Sequence, residues 1–319
     1  MQHGPWEWGG FLAFVAAMLA LDLGVFHRRS HEVRPREALA WSTVWVGLAM
    51  AFAALVWVRD GADSGMAFLT GYVIEKSLSV DNIFVFVVLF GPLGIPAVHQ
   101  HRVLFWGILS ALVLRGAMIW GGTALLARFH GVVYVFGAFL VLTGAKLLLG
   151  TGEEAHPEQS RVFRAVRRVL PSTSRFDGAR FITREGGRRV ATPLLVALVL
   201  IEISDVIFAV DSIPAIFAVT TDPYLVFTSN IFAILGLRSL YFLLAGAVAR
   251  FTYLRPSLAA VLMFVGVKMI AAPWVHIPPA VSLGVVTGIL AAGVAASLWK
   301  NRRRARPADP GLGHRPEGA

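Results

Sequence analysis

The chain has 319 residues, is 56% hydrophobic and only 15% charged, and has a mean hydropathy of +0.68. A soluble domain carries about 25% charged residues, so the composition points to a polytopic membrane protein. The chain has no cysteine, which excludes disulfides, thiolate metal sites and thiol catalysis. Its net charge of +10 comes from arginines in short loops and the tail, a topological signal rather than a nucleic-acid footprint.

The N-terminus, MQHGPWEW, lacks a basic region, and no small-residue cleavage site follows the first apolar run, so no cleavable signal peptide is expected. Runs of about 20 apolar residues, each enough to cross about 30 Å of hydrocarbon, predict nine spans. They fall near 6–27, 38–58, 66–90, 103–126, 131–149, 192–219, 224–248, 254–272 and 277–299. The first loop carries Arg28, Arg29, Arg34 and Arg36, whereas the second holds one arginine and two acids. The third has Arg102, the fourth only Arg128, and the fifth, 150–191, is rich in arginine, including Arg161, Arg164, Arg167, Arg168, Arg188 and Arg189. The sixth has none, the seventh Arg250 and Arg255, the eighth none, and the tail reads KNRRRAR. Basic loops face the cytoplasm, so this alternation predicts the N-terminus outside, the C-terminus inside and an odd number of spans. Residues 1–299 then form one transmembrane domain and 300–319 a basic, Pro/Gly-rich, disordered tail. Within the fifth loop, RVFRAVRRVL reads either as a solvated linker or as a basic amphipathic helix on the inner leaflet.

Two stretches break the apolar pattern. EKSLSVDNIFVF, from Glu75, and EISDVIFAVDSIPAIFA, from Glu202, place acids inside spans 3 and 6. Arg115 and Arg238 recur at matching places in the next spans, and Lys146 and Lys268 in those after. The offset stays near 122 to 127 residues, so spans 3–5 (about 66–149) and 6–8 (about 192–272) read as two copies of one unit. Three is odd, so the second copy lies inverted. In secondary transporters with such repeats the substrate sits near the midplane, between discontinuous helices.

The buried acids are Glu75, Asp81, Glu202, Asp205 and Asp211. Glu202 and Asp205, three residues apart, share a helix face. Pro214 cannot bond to the carbonyl of Val210 and is expected to kink the helix beside Asp211. Asn82 adds an amide oxygen, and Ser79, Ser204 and Ser212 add hydroxyls. The histidines His99, His101, His130 and His156 fall in loops or at span ends. An all-oxygen set suits a hard divalent cation, Mn2+, Mg2+ or Ca2+. The competing reading is that Lys76, Arg115, Arg238 and Lys268 neutralise the acids and the network only holds the bundle together. Asp22, near the inner end of span 1, has an interfacial salt bridge to Arg28 or Arg29 as its simplest role.

These acidic stretches, with LDLGVFHRR and REALAWSTVWV nearer the N-terminus, resemble the TerC family of integral membrane proteins from about residue 15 to about 275. Members are named for tellurite resistance, and the branch most like this chain is linked to manganese export and metal supply for exported proteins. The resemblance implies Mn2+ as the transported ion, the bacterial inner membrane as the location, and the metal pathway at Glu75, Asp81, Glu202, Asp205 and Asp211, with Asn82 beside them. Proton coupling is expected of such a carboxylate cluster, and no tightly bound cofactor is expected. Two other classes compete: an anion or oxyanion permease using Arg115 and Arg238, and a non-transporting scaffold in stress resistance. No nucleophile–base pair, P-loop or zincin motif points to an enzyme.

Overall fold

The structure, a computed structural model, describes residues 3–26, 35–91, 93–129, 131–149, 161–244, 252–275 and 277–304. Within these the chain folds as α1 (Pro5–Phe26), α2 (Pro35–Asp60), α3 (Ala62–Phe90), α4 (Ala97–Arg128), α5 (Val132–Leu149) and α6 (Arg161–Val169). A hairpin of β1 (Ile182–Glu185) and β2 (Arg188–Ala191) follows, then α7 (Pro193–Phe217), α8 (Pro223–Leu235), α9 (Leu237–Leu244), α10 (Leu254–Ala271) and α11 (Pro279–Arg304). Seven spans among the described residues are long and apolar enough to cross a membrane, with α8 and α9 counted as one. A shorter apolar helix at Pro5–Leu21 is added to these, and α3 is 29 residues long with Glu75, Lys76 and Asp81 inside it. The fold is an all-α polytopic membrane fold with one small hairpin in its longest loop.

Local chemistry starts the helices. Pro5, Pro35, Pro193, Pro223 and Pro279 each stand at the first helical position, where the missing N–H costs nothing. Asp222 caps α8, accepting from the backbone N–H of Tyr224 (2.9 Å) and Leu225 (3.4 Å). Arg59 pairs with Glu7, and His3 stacks on Tyr224 at 4.2 Å between ring centroids, fastening α1 to the neighbouring helix ends.

Polarity runs opposite to that of a soluble protein. Trp120, Val135 and Leu142 point outward, while Thr70, Glu75, Asn82, Arg115, Asn230 and Arg238 are buried inside. In lipid the exterior gains nothing from polarity, and every interior polar group needs a partner. α3 runs through the middle and packs against α2, α7, α8 and α11. α4 packs on α7 as α8 packs on α3, and α5 lies against α10. α5 and α10 run antiparallel in close contact: a Cβ on Gly266 would stand 2.7 Å from the carbonyl oxygen of Gly137, and one on Gly144 would stand 2.8 Å from that of Ala259. Glycine at these points lets two backbones meet, as small residues do at helix crossings in membranes.

Two features differ from the sequence expectation. The acid-bearing helices α3 and α7 are continuous, Pro214 falling in the last turn of α7. The interrupted helix is the next one, where Gly236 separates α8 from α9. A Cβ there would stand 2.7 Å from Lys76 Nζ and 3.1 Å from Trp45 Cβ. Lys76 Nζ donates to the carbonyl of Ala233 (3.2 Å), a carbonyl near the end of α8. The 150–191 loop is also more ordered than a linker over its described part. α6 and the hairpin pack against α7, and the hairpin turns on Gly186 and Gly187 with φ 56° and 80°. Positive φ at both central residues is what a tight two-residue turn requires. Residues 150–160 and the tail beyond Arg304 lie outside the described residues.

Candidate cation site

Arg115, on α4, is 1% exposed, and its guanidinium binds two carboxylates from two different helices. Nη2 donates to Asp205 Oδ1 at 2.6 Å and Nε to Asp205 Oδ2 at 3.0 Å, a bidentate fork onto α7. Nη1 contacts Glu75 Oε1 on α3 and donates to Asn230 Oδ1 on α8 (3.2 Å). Asn230 Nδ2 returns a bond to Glu75 Oε2 (3.1 Å), and Asn82 Nδ2 donates to Asp205 Oδ1 (3.3 Å). Four helices therefore meet in one closed network of charge-assisted bonds. Asp205 stands twelve residues from either end of α7, about 18 Å each way, so the network lies near mid-depth.

Glu202 and Asp211 have other hydrogen-bond partners. Glu202 shares the α4-facing side of α7 with Asp205, as the three-residue spacing predicts. Its Oε1 accepts from Ser110 Oγ at 2.6 Å, beside Gly107, where an added Cβ would lie 3.6 Å from the same oxygen. Its Oε2 is buried with no hydrogen-bond partner. Asp211 Oδ1 accepts from Thr143 Oγ1 on α5 (3.3 Å). Asp81 lies on α3, but its side chain, like that of Asp22, is outside the described residues. Among the described residues no three histidines, cysteines or acids converge on one point.

The carbonyl oxygen of Asn82 and the hydroxyls of Ser79 and Ser212 are also buried without partners. These three, with Glu202 Oε2, are oxygens on α3 and α7, the donor type that suits a hard cation. A small cavity between α3, α4, α7 and the α8–α9 break is lined by Phe86, Gly107, Ala111, Ile201, Ile234 and Leu237, with Asp205 as its acid.

Among the described residues Arg115 carries the ion pairs to Glu75 and Asp205, while Lys76 turns to the Ala233 carbonyl and Lys268 donates to Ser282 Oγ (2.7 Å). The sequence comparison sets Glu75 opposite Glu202, but the counterpart of Glu75 on Arg115 is Asp205. Asn230 and Ser110 went unnoticed in the sequence. Asn230, a lone amide in an apolar run, is a recognisable signal in a membrane helix, whereas Ser110 offers none, because an isolated serine commonly bonds back to its own helix.

The family model described as "Integral membrane protein TerC family" matches residues 60–305. An uncharacterized membrane protein of Myxococcus xanthus is 62% identical over 298 residues, 93% of each chain. A protein of Escherichia coli (strain K12) named Alx, described provisionally as a membrane-bound redox modulator, is 50% identical over 308 residues, 94% of this chain and 96% of its own. An uncharacterized membrane protein of Rickettsia felis is 39% identical over 292 residues, 92% of this chain and 97% of its own. No solved structure matches.

Proposed function

The chain belongs to the TerC family of integral membrane proteins, and on that premise we propose that it carries a divalent metal cation, Mn2+, out across the bacterial inner membrane in exchange for protons. The observation that carries this reading is that five of the six buried side-chain oxygens without hydrogen-bond partners among the described residues, Glu202 Oε2, Asn82 Oδ1 and the hydroxyls of Tyr72, Ser79 and Ser212, stand on the two acid-bearing helices, the sixth being the hydroxyl of Ser42. An unpaired polar group inside a bilayer costs several kcal/mol, and a hard cation passing along α3 and α7 supplies the missing interaction. In this reading Glu75 and Asp205 form the charge-paired frame with Arg115, and they open to the ion only if that frame is exchanged. Glu202, Asp211 and Asn82 line the path, and Asp81 is assigned to it from its sequence position on α3. The choice of Mn2+ over Mg2+ and Ca2+ rests on the family resemblance, since oxygen sites for the three ions are alike in chemistry.

Exchange for protons follows from carboxylates at low dielectric. A carboxylate there must be neutralised either by a proton or by a cation, and metal binding displaces protons. The inverted repeat expected from the sequence fits this role. α4 on α7 mirrors α8 on α3, and the Gly266–Gly137 and Gly144–Ala259 approaches are related by one offset of 122 residues. An anion permease is disfavoured because Arg115 already gives its Nε, Nη1 and Nη2 groups to Glu75, Asp205 and Asn230. The redox description of the relatives cannot reach this chain through thiol–disulfide exchange, since it has no cysteine. A transport role, rather than catalysis, accounts for the buried oxygens.

The test is uptake into proteoliposomes with Mn2+, Mg2+, Ca2+ and Zn2+ side by side, with a trapped pH dye read together with a metal indicator. Mn2+ flux is expected to depend on an opposing pH gradient and to move protons the other way. Flux at an unchanged rate with no proton movement overturns the exchange, and no flux of any of the four ions overturns transport of divalent metal.

A further inference from the structure

The 161–169 segment carries four arginines, and on an ideal helix of 100° per residue they occupy one arc of about 120°. Val162, Phe163, Ala165, Val166, Val169 and Leu170 fall on the opposite side. The fold uses that division: Val166 is buried against α7, whereas Arg164 and Arg168 remain exposed. The apolar side is only partly covered. A groove remains between α6 and α7, lined by Ala165, Val166, Val169, Leu170 and Val199, with no polar group in it. Val169, on its wall, is 82% exposed.

The depth of this groove indicates its occupant. Val199 lies six residues past Pro193, about 9 Å along α7. α7 has 25 residues, about 37 Å in length, and the hydrocarbon layer is about 30 Å thick. If α7 is centred, Val199 sits about 5 Å inside the hydrocarbon boundary. Helices that lie in the membrane interface bury their apolar face by about 5–10 Å. An apolar groove at that depth meets acyl chains, and the exposed arginines on the other side of the same short helix reach toward headgroups.

We propose that the groove between α6 and α7 is a binding site for an anionic phospholipid, with the acyl chain against Val166, Val169 and Val199 and the phosphate on Arg164 and Arg168. The occupant is a lipid rather than a protein helix because the groove lies beside a membrane-crossing helix at interfacial depth. Among the described side chains of α6 the charged ones, Arg164 and Arg168, are exposed and both basic, complementary to an anionic headgroup. Three residues beyond Val199, α7 carries Glu202, so the lipid stands one turn from the candidate ion path. The site itself does not depend on transport.

The test uses the full chain, which has no cysteine of its own. A single Val169→Cys is labelled with an environment-sensitive fluorophore and reconstituted into vesicles containing either brominated phosphatidylglycerol or brominated phosphatidylcholine at equal mole fraction. Leu142→Cys, on the outer face of α5 and 69% exposed, serves as the general lipid-contact control. Position 169 is expected to be quenched with a preference for phosphatidylglycerol of about five-fold or more, one arginine near an anionic surface being sufficient for that. Position 142 should show no preference. Arg164→Gln with Arg168→Gln, both at exposed positions, should bring the preference at 169 to that of 142. Equal quenching by the two lipids overturns headgroup recognition. A preference that survives the double substitution overturns the role of the arginines. No quenching by either lipid shows that water or another protein covers the groove, and also overturns the proposal.

Discussion

Arg115→Met removes the cation shared by two buried carboxylates. With Glu75 and Asp205 both ionised, the three-residue network carries a net charge of −1, and this substitution takes it to −2 with no counter-ion at mid-depth. Breaking a buried ion pair by deleting one partner costs about 3–5 kcal/mol. Here one deletion strands two acids and also the Asn230 carbonyl, so a loss at the upper end, about 5 kcal/mol, is expected. Glu75→Gln works in the other direction on charge, leaving a neutral Arg115–Asp205 pair with its fork intact, and should cost about 1 kcal/mol, the value of one neutral hydrogen bond. The triple variant Arg115→Met, Glu75→Gln, Asp205→Asn removes every charge. It should be more stable than Arg115→Met alone, because an all-neutral replacement has no stranded ion. Reversible unfolding in mixed micelles, followed by helical circular dichroism, gives the three free energies. Equal losses for Arg115→Met and Glu75→Gln, or a loss below about 1 kcal/mol for Arg115→Met, would refute the dry, charge-paired frame.

Glu202→Gln and Asp211→Asn should each abolish metal flux in proteoliposomes with little change in unfolding free energy, since Glu202 accepts from the Ser110 hydroxyl and Asp211 from the Thr143 hydroxyl, bonds that an amide oxygen can still accept; full flux in the double variant sinks the ion path. Gly266→Ala should destabilise by about 1–3 kcal/mol, because its Cβ meets backbone atoms of Gly137 and Val141 at 2.7 and 2.9 Å, whereas Gly121→Ala, in open space on α4, should not; the same unfolding assay separates them. For topology, Asp63→Cys should react with an impermeant thiol reagent in intact cells and Glu185→Cys only after the membrane is breached; the reverse pattern inverts the orientation.

The membrane character of the chain was legible in the sequence because the thickness of a bilayer imposes a local requirement, about 20 apolar residues in succession, that needs no knowledge of neighbours. The helix starts at Pro193 and Pro223 were equally local, as was the position of Glu75 inside α3 and of Glu202, Asp205 and Asp211 inside α7. The spacing of Glu202 and Asp205 put both toward one neighbour, and that neighbour proved to be α4. Gly186 and Gly187 mark the hairpin turn locally, but the polar, arginine-rich composition around them reads equally as a solvated linker. What composition and spacing left open was the division of labour among the acids. Arg115 is 40 residues from Glu75 and 90 from Asp205, and only the packing of α4 on α7, with α3 packed against the same helix, selects these two and leaves Glu202 to Ser110 and Asp211 to Thr143. The interruption at Gly236 likewise depends on a distant side chain, since Lys76 and Trp45 occupy the space a Cβ would need. Helical periodicity fixes the direction of a side chain relative to its own axis. The rotation of that axis in the bundle, and so the partner each charge meets, follows from close approaches such as Gly137 to Gly266 that join segments far apart in the chain.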